Sequence, residues 1–217
     1  MNRIQLSGKG SQLIKLYESI ALDGYDTVDG ATIDTAFNDF ELRAYRKDIK
    51  PLFTNFSISS VLDYGCGGSD WTLDGFDVES NESALSYLGV NEVYRYEPAR
   101  NIDERRSVDC IVSFDVLEHV FISDVANTIR DMLSYPMKLA IINVACYPAR
   151  ALLPNGENAH VTVRPPLWWK GMFDAIAPEF PEVSILLACS EEWRKTNSFQ
   201  IYSARQWGED EKFVIKY

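Results

Sequence analysis

The sequence contains few of the residues that mark disulfide-rich, zinc-knuckle or membrane proteins. Its four cysteines lie far apart, and three of them fall in apolar, strand-like runs, where a thiol behaves as a small hydrophobic side chain. This spacing favours neither a disulfide framework nor a zinc knuckle. The most apolar stretch, LAIINVACY, is too short to span a bilayer, and the N-terminal segment lacks the apolar core of a signal peptide. We therefore expect a soluble, cytoplasmic protein that does not bind membranes.

Basic residues are also in the minority. The 217-residue chain has 21 lysines and arginines against 32 aspartates and glutamates, which gives a formal net charge of -11 at pH 7. Such a chain repels a polyanion unless its basic residues gather on one face, so nucleic acid is not an expected partner. With 46% hydrophobic residues, the chain is long enough for one sizeable core, and we expect a single domain over residues 1–217.

Two helices are predicted in the N-terminal segment, residues 1–56, which we interpret as a helical lid or extension. The apolar residues that recur at helical spacing are Leu13, Tyr17, Ile20 and Ala21 in the first helix, and Phe37, Phe40, Ala44 and Ile49, before Pro51, in the second. Between the two helices, the composition of LDGYDTVDGATID is typical of a loop.

After Pro51 the pattern changes to short β-branched runs that alternate with helical segments. The runs are SVLDYG, VYRYE, VDCIVSFD, LAIINVA, VSILLA and FQIYSA, and helical patterns fit residues 83–88, 123–134 and 166–177. Because this alternation is typical of parallel strands with helical crossovers, the sequence predicts an α/β fold with a mostly parallel sheet. Nothing strongly helical separates the last two runs, so we expect them to form an antiparallel hairpin that makes the sheet mixed.

A glycine-rich turn, in the segment VLDYGCGGS, follows the first of these runs. In an open α/β sheet, ligands lie outside the carboxyl ends of the strands, and glycines after the first strand let the backbone approach the ligand closely. A dinucleotide site would need the spacing G-x-G-x-x-G, with a diphosphate at the helix N-terminus. Here Asp63 precedes the turn, which is awkward for a diphosphate but suits a ligand with an ammonium group.

Three segments resemble motifs of the class I S-adenosylmethionine-dependent methyltransferases. VLDYGCGGS resembles the first motif, acid-x-Gly-x-Gly-x-Gly, with Asp63, Gly65 and Gly67 matching and Ser69 at the third glycine. VYRYEPA resembles the second motif, in which an acid, here Glu97, binds both ribose hydroxyls. VDCIVSFDVLEHV resembles the fourth-strand motif, which Asp109 opens. The motifs lie in the family's order across residues 60–120.

The resemblance implies a Rossmann-like, mixed seven-stranded sheet and S-adenosylmethionine as the cofactor. The cofactor-binding residues that it implies are Asp63, Tyr64, Gly65, Cys66, Gly67, Glu97, Pro98, Phe114, Asp115 and Val116. Two spacings depart from the family. The thirty residues from Gly67 to Glu97 predict a truncated or displaced crossover helix, and the twelve from Glu97 to Asp109 leave little room for a third strand with a helix. The adenine contact is therefore unassigned, although Ile102 and Asp103 lie in this stretch.

The acceptor side is predicted from the two histidines, His119 and His160, which are the candidate catalytic bases because an imidazole titrates near neutral pH. Asp115, Glu118 and His119 are spaced so that they share one helix face. They either hold a divalent metal or place acids at a helix start, and we favour the second interpretation and expect no metal.

Aromatic residues near the predicted site are each open to two interpretations. Of Trp168 and Trp169, one should pack in the core and the other should form a wall of the acceptor pocket. Tyr25, in the N-terminal loop, either closes over the cofactor or fixes the loop.

These features predict an enzyme that transfers a methyl group to a small-molecule, sugar or lipid-like acceptor. The chain lacks the Asp-Pro-Pro-Tyr or Asn-Pro-Pro-Tyr segment of nucleobase amino-methylating enzymes, and it lacks a Pro-Cys nucleophile for cytosine carbon methylation. The alternatives are a non-catalytic binding module of the same fold and a nicotinamide-dependent oxidoreductase on a related sheet.

Overall fold

The computed structural model describes residues 5–34, 41–193, 195–202 and 211–213. The α-helices in these ranges are α1 (Gly8–Asp23), α2 (Arg46–Asn55), α3 (Ala84–Leu88), α4 (Val125–Leu133) and α5 (Pro166–Ile176). The strands are β1 (Tyr25–Asp26), β2 (Thr32–Ile33), β3 (Ser60–Tyr64), β4 (Glu92–Glu97), β5 (Ile102–Asp103), β6 (Val108–Phe114), β7 (Pro136–Ala145), β8 (Ser184–Glu192), β9 (Lys195–Tyr202) and β10 (Glu211–Phe213). Phe37 and Phe40, predicted in the second helix, lie outside the described residues.

One mixed sheet organises the chain, as the sequence predicts for an α/β fold. Its strand order is β10-β9-β8-β7-β6-β3-β4-β5. The five central strands, β4, β3, β6, β7 and β8, are parallel, and β9 returns antiparallel to β8, which confirms the predicted hairpin. The described sheet has eight strands where seven were predicted. The apolar runs predict six of these strands, and the number seven came from the resemblance. The two strands that no run predicts are at the edges: β5 pairs antiparallel with β4 where no further parallel strand fits, and β10 pairs with β9.

Helices cover both faces of the sheet, which explains why its central strands are apolar on both sides. On one face, Leu62, Ile111 and Ile185 pack with residues of α4 and α5, such as Met132 and Phe173. On the other face, Val61, Cys110 and Ile141 pack with Ile49 and Phe53 of α2 and with α3. The three helical ranges predicted after Pro51 correspond to α3, α4 and α5. Among the described residues, no helix has the length and apolarity that a membrane span requires.

The second N-terminal helix differs from its prediction, because α2 does not end before Pro51. It runs through the proline to Asn55. Proline inside a helix removes one backbone hydrogen bond, but Ile49 and Phe53, one turn apart, are both fully buried against the sheet. Tertiary packing on both sides of Pro51 therefore outweighs the local preference. The residues before α2, Glu41–Tyr45, form a 3-10 helix.

The first crossover contains only a short helix, as its polar sequence predicts. The five-residue α3 follows a segment of turns, residues 70–83. Trp71 and Phe76 anchor these turns in the core. The Arg46 guanidinium also pairs with Asp77 at 2.9 Å, and the Asp77 side chain is only 5% exposed. A buried ion pair therefore joins the crossover to α2.

Helix α1 lies across the cavity described below and is fixed at both ends of its buried face. The side chain of Ser7 caps the helix by accepting from the Gly10 amide, and the Ser7 amide and hydroxyl donate to Asp124 at 2.9 and 2.7 Å. A Cβ at Gly10 would collide with the Asp124 carboxylate, so only glycine allows this approach. Two helical turns further on, the Tyr17 hydroxyl donates to the Ala159 carbonyl at 2.6 Å.

Candidate functional site

A cavity of about 330 Å³ opens at the carboxyl ends of β3, β4 and β6. The chain leaves β3 toward β4 on one side and returns to β6 on the other, so this is the point of the sheet where ligands usually bind. The cavity volume lies in the range of small-molecule sites, roughly 300 to 1,000 Å³. All twelve predicted site residues line it, namely Asp63, Tyr64, Gly65, Cys66, Gly67, Glu97, Pro98, Phe114, Asp115, Val116, His119 and His160.

The glycine turn after β3 is tied to the neighbouring strand. The Gly65 and Cys66 amides both donate to the Tyr96 carbonyl, at 2.7 and 3.1 Å. Gly65 has φ +80°, and a Cβ at this position would collide with the Val116 side chain in the loop after β6. Glycine is therefore required both for the backbone conformation and for the contact between the two loops.

Asp63 is buried at the end of β3 and is held by two side chains. Its Oδ2 accepts from the Ser69 hydroxyl at 2.6 Å and from the Trp71 indole N–H at 2.8 Å. Burial raises the pKa of the carboxyl, and the two hydrogen bonds oppose that effect. Ser69, which occupies the position of the third glycine in the family motif, thus orients the motif's own acid. Sequence reasoning did not find this role, or that of Trp71.

Glu97 joins the end of β4 to the glycine turn. Its Oε2 accepts from the Gly67 amide at 3.1 Å, and its Oε1 accepts from the Ala99 amide at 3.0 Å. Burial raises the pKa of Glu97, while the two backbone amides work in the opposite direction. Since a carboxylate has about four acceptor sites, each oxygen keeps one for a ligand hydroxyl.

The loop after β6 begins with a residue in an unusual backbone conformation. Asp115 has φ +54°, which is uncommon outside glycine and is typical of functional sites. The Asn143 side-chain amide of the adjacent strand β7 donates to Asp115 Oδ1 at 2.8 Å. The neighbouring Phe114 ring packs on Tyr45, with 5.2 Å between ring centroids. The strand end and the start of its loop are therefore fixed by contacts from β7 and from the 3-10 helix before α2.

Both histidines are held as neutral imidazoles. His119 Nδ1 lies 2.9 Å from the Ala159 carbonyl, and His160 Nδ1 lies 2.6 Å from the Tyr147 carbonyl. Because a carbonyl only accepts, each Nδ1 carries the hydrogen and each Nε2 keeps its lone pair. Burial is the main cause that lowers the pKa of both rings, and with His160 nearby it lowers that of His119 to about 3. At neutral pH neither ring is charged.

Glu118 lies close to the two histidines and is fully buried. Its Oε1 accepts from the Ala145 amide at 2.9 Å, whereas Oε2 has no hydrogen-bond partner in the described part of the chain. Burial, reinforced by the charge of Asp115, holds the pKa of Glu118 well above its usual range. One ligating atom each of Glu118, His119 and His160 lies within 4.8 Å of the others.

This grouping differs from the set of Asp115, Glu118 and His119, which the sequence offered as the less favoured, metal-holding alternative. The prediction assumed that a helix begins at the end of β6, but Leu117–His119 is a 3-10 turn and α4 begins only at Val125. The 3-10 turn has three residues per turn, so the spacing of an α-helical face does not apply. His160, from the loop after β7, lies beside Glu118 and His119 where that alternative had Asp115.

Other residues singled out in the sequence lie away from the described cavity wall. Trp169 is fully buried in the core, as predicted for one of the tryptophans, but Trp168 stacks edge-on against it and does not line the cavity. Tyr25 pairs with Ile33 in the small β1–β2 sheet and packs beside α1, so it fixes the loop. Ile102 and Asp103 form β5 and are not among the residues that line the cavity.

Sequence reasoning also missed the contribution of α1 to the cavity. The wall formed by this segment consists of Leu6, Gly10, Leu13, Ile14 and Tyr17. The sequence predicts a helical lid or extension over residues 1–56 but assigns none of these residues to the site. A glycine on the buried face of a helix is a signal of close packing, and Gly10 was the available clue.

The electrostatic character of the cavity is acidic. Its described lining includes five carboxylates, those of Glu41, Asp63, Glu97, Asp115 and Asp124, and neither lysine nor arginine. Because the two histidines are neutral, no positive side chain offsets this charge among the lining residues. The cavity therefore favours a ligand with positive charge and disfavours a diphosphate.

Comparisons with protein-family models, curated protein sequences and solved structures each returned no match for this chain.

Proposed function

We propose that the protein is an S-adenosylmethionine-dependent methyltransferase with a Rossmann-like fold and a small-molecule, sugar or lipid-like acceptor. The observation that carries this proposal is that the glycine turn, Asp63 and Glu97 meet in one acidic cavity that has no cationic side chain in its described lining. S-adenosylmethionine supplies an activated methyl group on a sulfonium and also carries an ammonium group and two ribose hydroxyls. Its positive groups and its hydroxyls match carboxylate acceptors.

Each residue of the turn region has a distinct role in this proposal. Asp63, oriented by Ser69 and Trp71, binds the ammonium group. The Gly65–Gly67 backbone lets the amino acid end of the ligand approach closely. Glu97, oriented by the Gly67 and Ala99 amides, accepts from the ribose hydroxyls. These groups are in place before the ligand binds, which limits the ordering that binding requires.

Methyl transfer requires that the acceptor atom lie in line with the methyl group and lose a proton where its chemistry demands it. Alignment in a fixed cavity supplies much of the rate acceleration. His119 and His160 line the same cavity as the cofactor residues, so we place the acceptor beside them. With a pKa of about 3, His119 is a weak base, and its useful property is the Nε2 lone pair rather than its basicity.

The nicotinamide alternative is less compatible with this cavity. A dinucleotide carries a diphosphate, which usually rests on a helix N-terminus after the glycine turn. Here the turn leads into the non-helical segment 70–83, and five carboxylates line the cavity. Both features oppose the binding of an anionic ligand.

Isothermal titration calorimetry with S-adenosylmethionine, S-adenosylhomocysteine and NAD tests the proposal. We expect both sulfur ligands to bind with dissociation constants below about 1 mM, equivalent to about 4 kcal/mol, and NAD not to bind. The control is Glu179→Gln, since Glu179 is an exposed carboxylate that pairs with Arg130 and does not line the cavity. The absence of binding by either sulfur ligand would overturn the proposal, and tighter binding of NAD would favour an oxidoreductase.

A further inference from the structure

The cluster of Glu118, His119 and His160 has two features that a purely structural cluster does not need. The first is the orphan oxygen of Glu118. The side chain is 0% exposed, one oxygen is satisfied by the Ala145 amide, and the other has no hydrogen-bond partner in the described part of the chain. A buried carboxylate oxygen without a partner is unfavourable, so it indicates that a positively charged group belongs beside it.

The second feature is the orientation of the two imidazoles. Each ring donates from Nδ1 to a backbone carbonyl, His119 to Ala159 and His160 to Tyr147. This is the arrangement in which metal-binding histidines are usually held, because it fixes the tautomer and leaves Nε2 available. The Tyr17 hydroxyl of α1, 3.2 Å from His119 Nδ1, adds a further contact that positions the ring.

We propose that Glu118, His119 and His160 bind a divalent first-row transition-metal cation. The set contains two neutral nitrogens and one carboxylate oxygen, a combination that suits Zn²⁺, Fe²⁺ or Co²⁺ better than Ca²⁺ or Mg²⁺, which prefer oxygen ligands. The three donors lie within 4.8 Å of one another. Ligands about 2.1 Å from a tetrahedral metal are roughly 3.4 Å apart, so the side chains would move together by about an ångström.

The metal would lie at the cavity wall, because two of its three ligands, His119 and His160, line the cavity. Three protein ligands leave at least one coordination position open, as in catalytic rather than structural metal sites. The next step rests on the proposed methyltransferase function. In that function, the open coordination position binds an oxygen of the acceptor. A metal-bound hydroxyl releases its proton to water more readily than a free one, so no histidine base is needed. The acceptor oxygen then forms a bond to the methyl carbon as the bond from that carbon to the sulfonium sulfur breaks, and S-adenosylhomocysteine is the leaving group. This assigns the acceptor to compounds with a hydroxyl group.

Cobalt binding tests the site without any cofactor or acceptor. The full-length protein is freed of metal with a chelator and titrated with Co²⁺ while its visible absorption is recorded. We expect one Co²⁺ per chain, with the absorption bands of nitrogen and oxygen coordination, and displacement by Zn²⁺. Glu118→Gln and His160→Ala should each weaken Co²⁺ binding at least tenfold. Failure of wild type to bind Co²⁺, or unchanged binding in both variants, would overturn the proposal.

Two further variants make the assignment specific. Asp115→Asn distinguishes this set from the alternative of Asp115, Glu118 and His119, and it should affect Co²⁺ binding less than His160→Ala does. The reverse order would overturn the assignment of His160. Glu179 is a surface carboxylate that does not line the cavity, so the Glu179→Gln variant should bind Co²⁺ as wild type does.

Thermal unfolding shows whether a variant that does not bind metal is still folded. A metal that binds only the folded chain raises its melting temperature, so Zn²⁺ should raise that of wild type and should not raise that of Glu118→Gln. An equal rise in both would contradict the proposal. Binding of S-adenosylhomocysteine is measured in the same samples. Metal binding without cofactor binding would leave the metal site standing and remove the methyltransferase function, and the opposite result would remove only the metal site.

Discussion

Glu97 has two tasks at the residue scale, and they can be measured separately. As a proposed ligand for the ribose hydroxyls, it should contribute on the order of 1.5 to 3 kcal/mol per charged hydrogen bond. Part of this is recovered by water, so Glu97→Ala should weaken S-adenosylhomocysteine binding by roughly 10- to 100-fold. Calorimetry measures this change. Glu92→Ala, at the exposed start of the same strand, is the matched control.

The second task of Glu97 is structural, because its oxygens satisfy the Gly67 and Ala99 amides. We therefore expect Glu97→Ala also to lower the free energy of unfolding by about 1 to 2 kcal/mol, measured by denaturant titration. Unchanged binding would identify Glu97 as a residue that only shapes the turn.

Individual site residues could be predicted where the signal is local in the sequence. Asp63, the glycine turn and Glu97 each follow a strand-like run, and parallel strands bring their carboxyl ends to one edge of the sheet. The contacts of Ser69 and Trp71 with Asp63 could not be predicted, because they depend on how the turns of residues 70–83 fold back. His160 lies in a long loop after β7, far from Glu118 in the sequence. No local spacing in the sequence indicates that the two residues lie close together.

At the scale of elements, the N-terminal end of α1 is held over the cavity by the buried carboxylate of Asp124, which is 3% exposed and accepts twice from Ser7. Asp124→Ala removes both hydrogen bonds and the anchor of the helix N-terminus. Because these are hydrogen bonds to a charged group, we expect the free energy of opening of α1 to fall by about 1.5 to 3 kcal/mol. Hydrogen exchange of residues 8–23 should accelerate by roughly 10- to 100-fold.

The control for Asp124→Ala is Ser11→Ala, which removes an exposed hydroxyl from the same helix and leaves the Asp124 contact intact. Exchange in residues 8–23 should then stay as in wild type. If Asp124→Ala exchanges no faster than Ser11→Ala, the contact between Ser7 and Asp124 does not contribute to holding the helix.

The elements themselves were predictable in proportion to their length and burial. Strands β6, β7 and β8 could be predicted from their long apolar runs, and α4 and α5 could be predicted from their helical spacing of apolar residues. The two-residue β5 and the three-residue β10 carry too few residues for any periodicity, which is why the apolar runs predict only six of the eight described strands. The extension of α2 past Pro51 depends on the core and not on local preference.

At the scale of the whole molecule, the Arg46–Asp77 pair links the first crossover to α2 and makes stability depend on pH. The Arg46 guanidinium holds the pKa of Asp77 well below its usual range. A carboxyl with a lowered folded-state pKa stabilises the fold above its unfolded pKa, near 3.9, and loses this effect as pH falls toward the folded value. We therefore expect Asp77→Asn to lower the melting temperature at pH 7 and pH 5, with the difference from wild type shrinking below about pH 4.

Thermal scans at several pH values measure this difference. Glu79→Gln, in the same crossover, is the control, because Glu79 and its partner Lys47 are both largely exposed and such pairs contribute little to stability. Its difference from wild type should stay small at every pH. A constant difference for Asp77→Asn would show that its effect does not come from charge.

The contacts among the loops after β3, β4 and β6 have a kinetic consequence. The Gly65 and Cys66 amides donate hydrogen bonds to the Tyr96 carbonyl, and the Val116 side chain packs against Gly65. These loops are therefore in direct contact with one another. A pocket built this way has no slow rearrangement to complete, and we expect ligand association to follow one exponential whose rate rises linearly with ligand concentration. Trp71 is buried and donates a hydrogen bond to Asp63. Its fluorescence provides the signal for stopped-flow mixing. The molecule thus carries its own reporter at the point where the ligand's ammonium group would arrive.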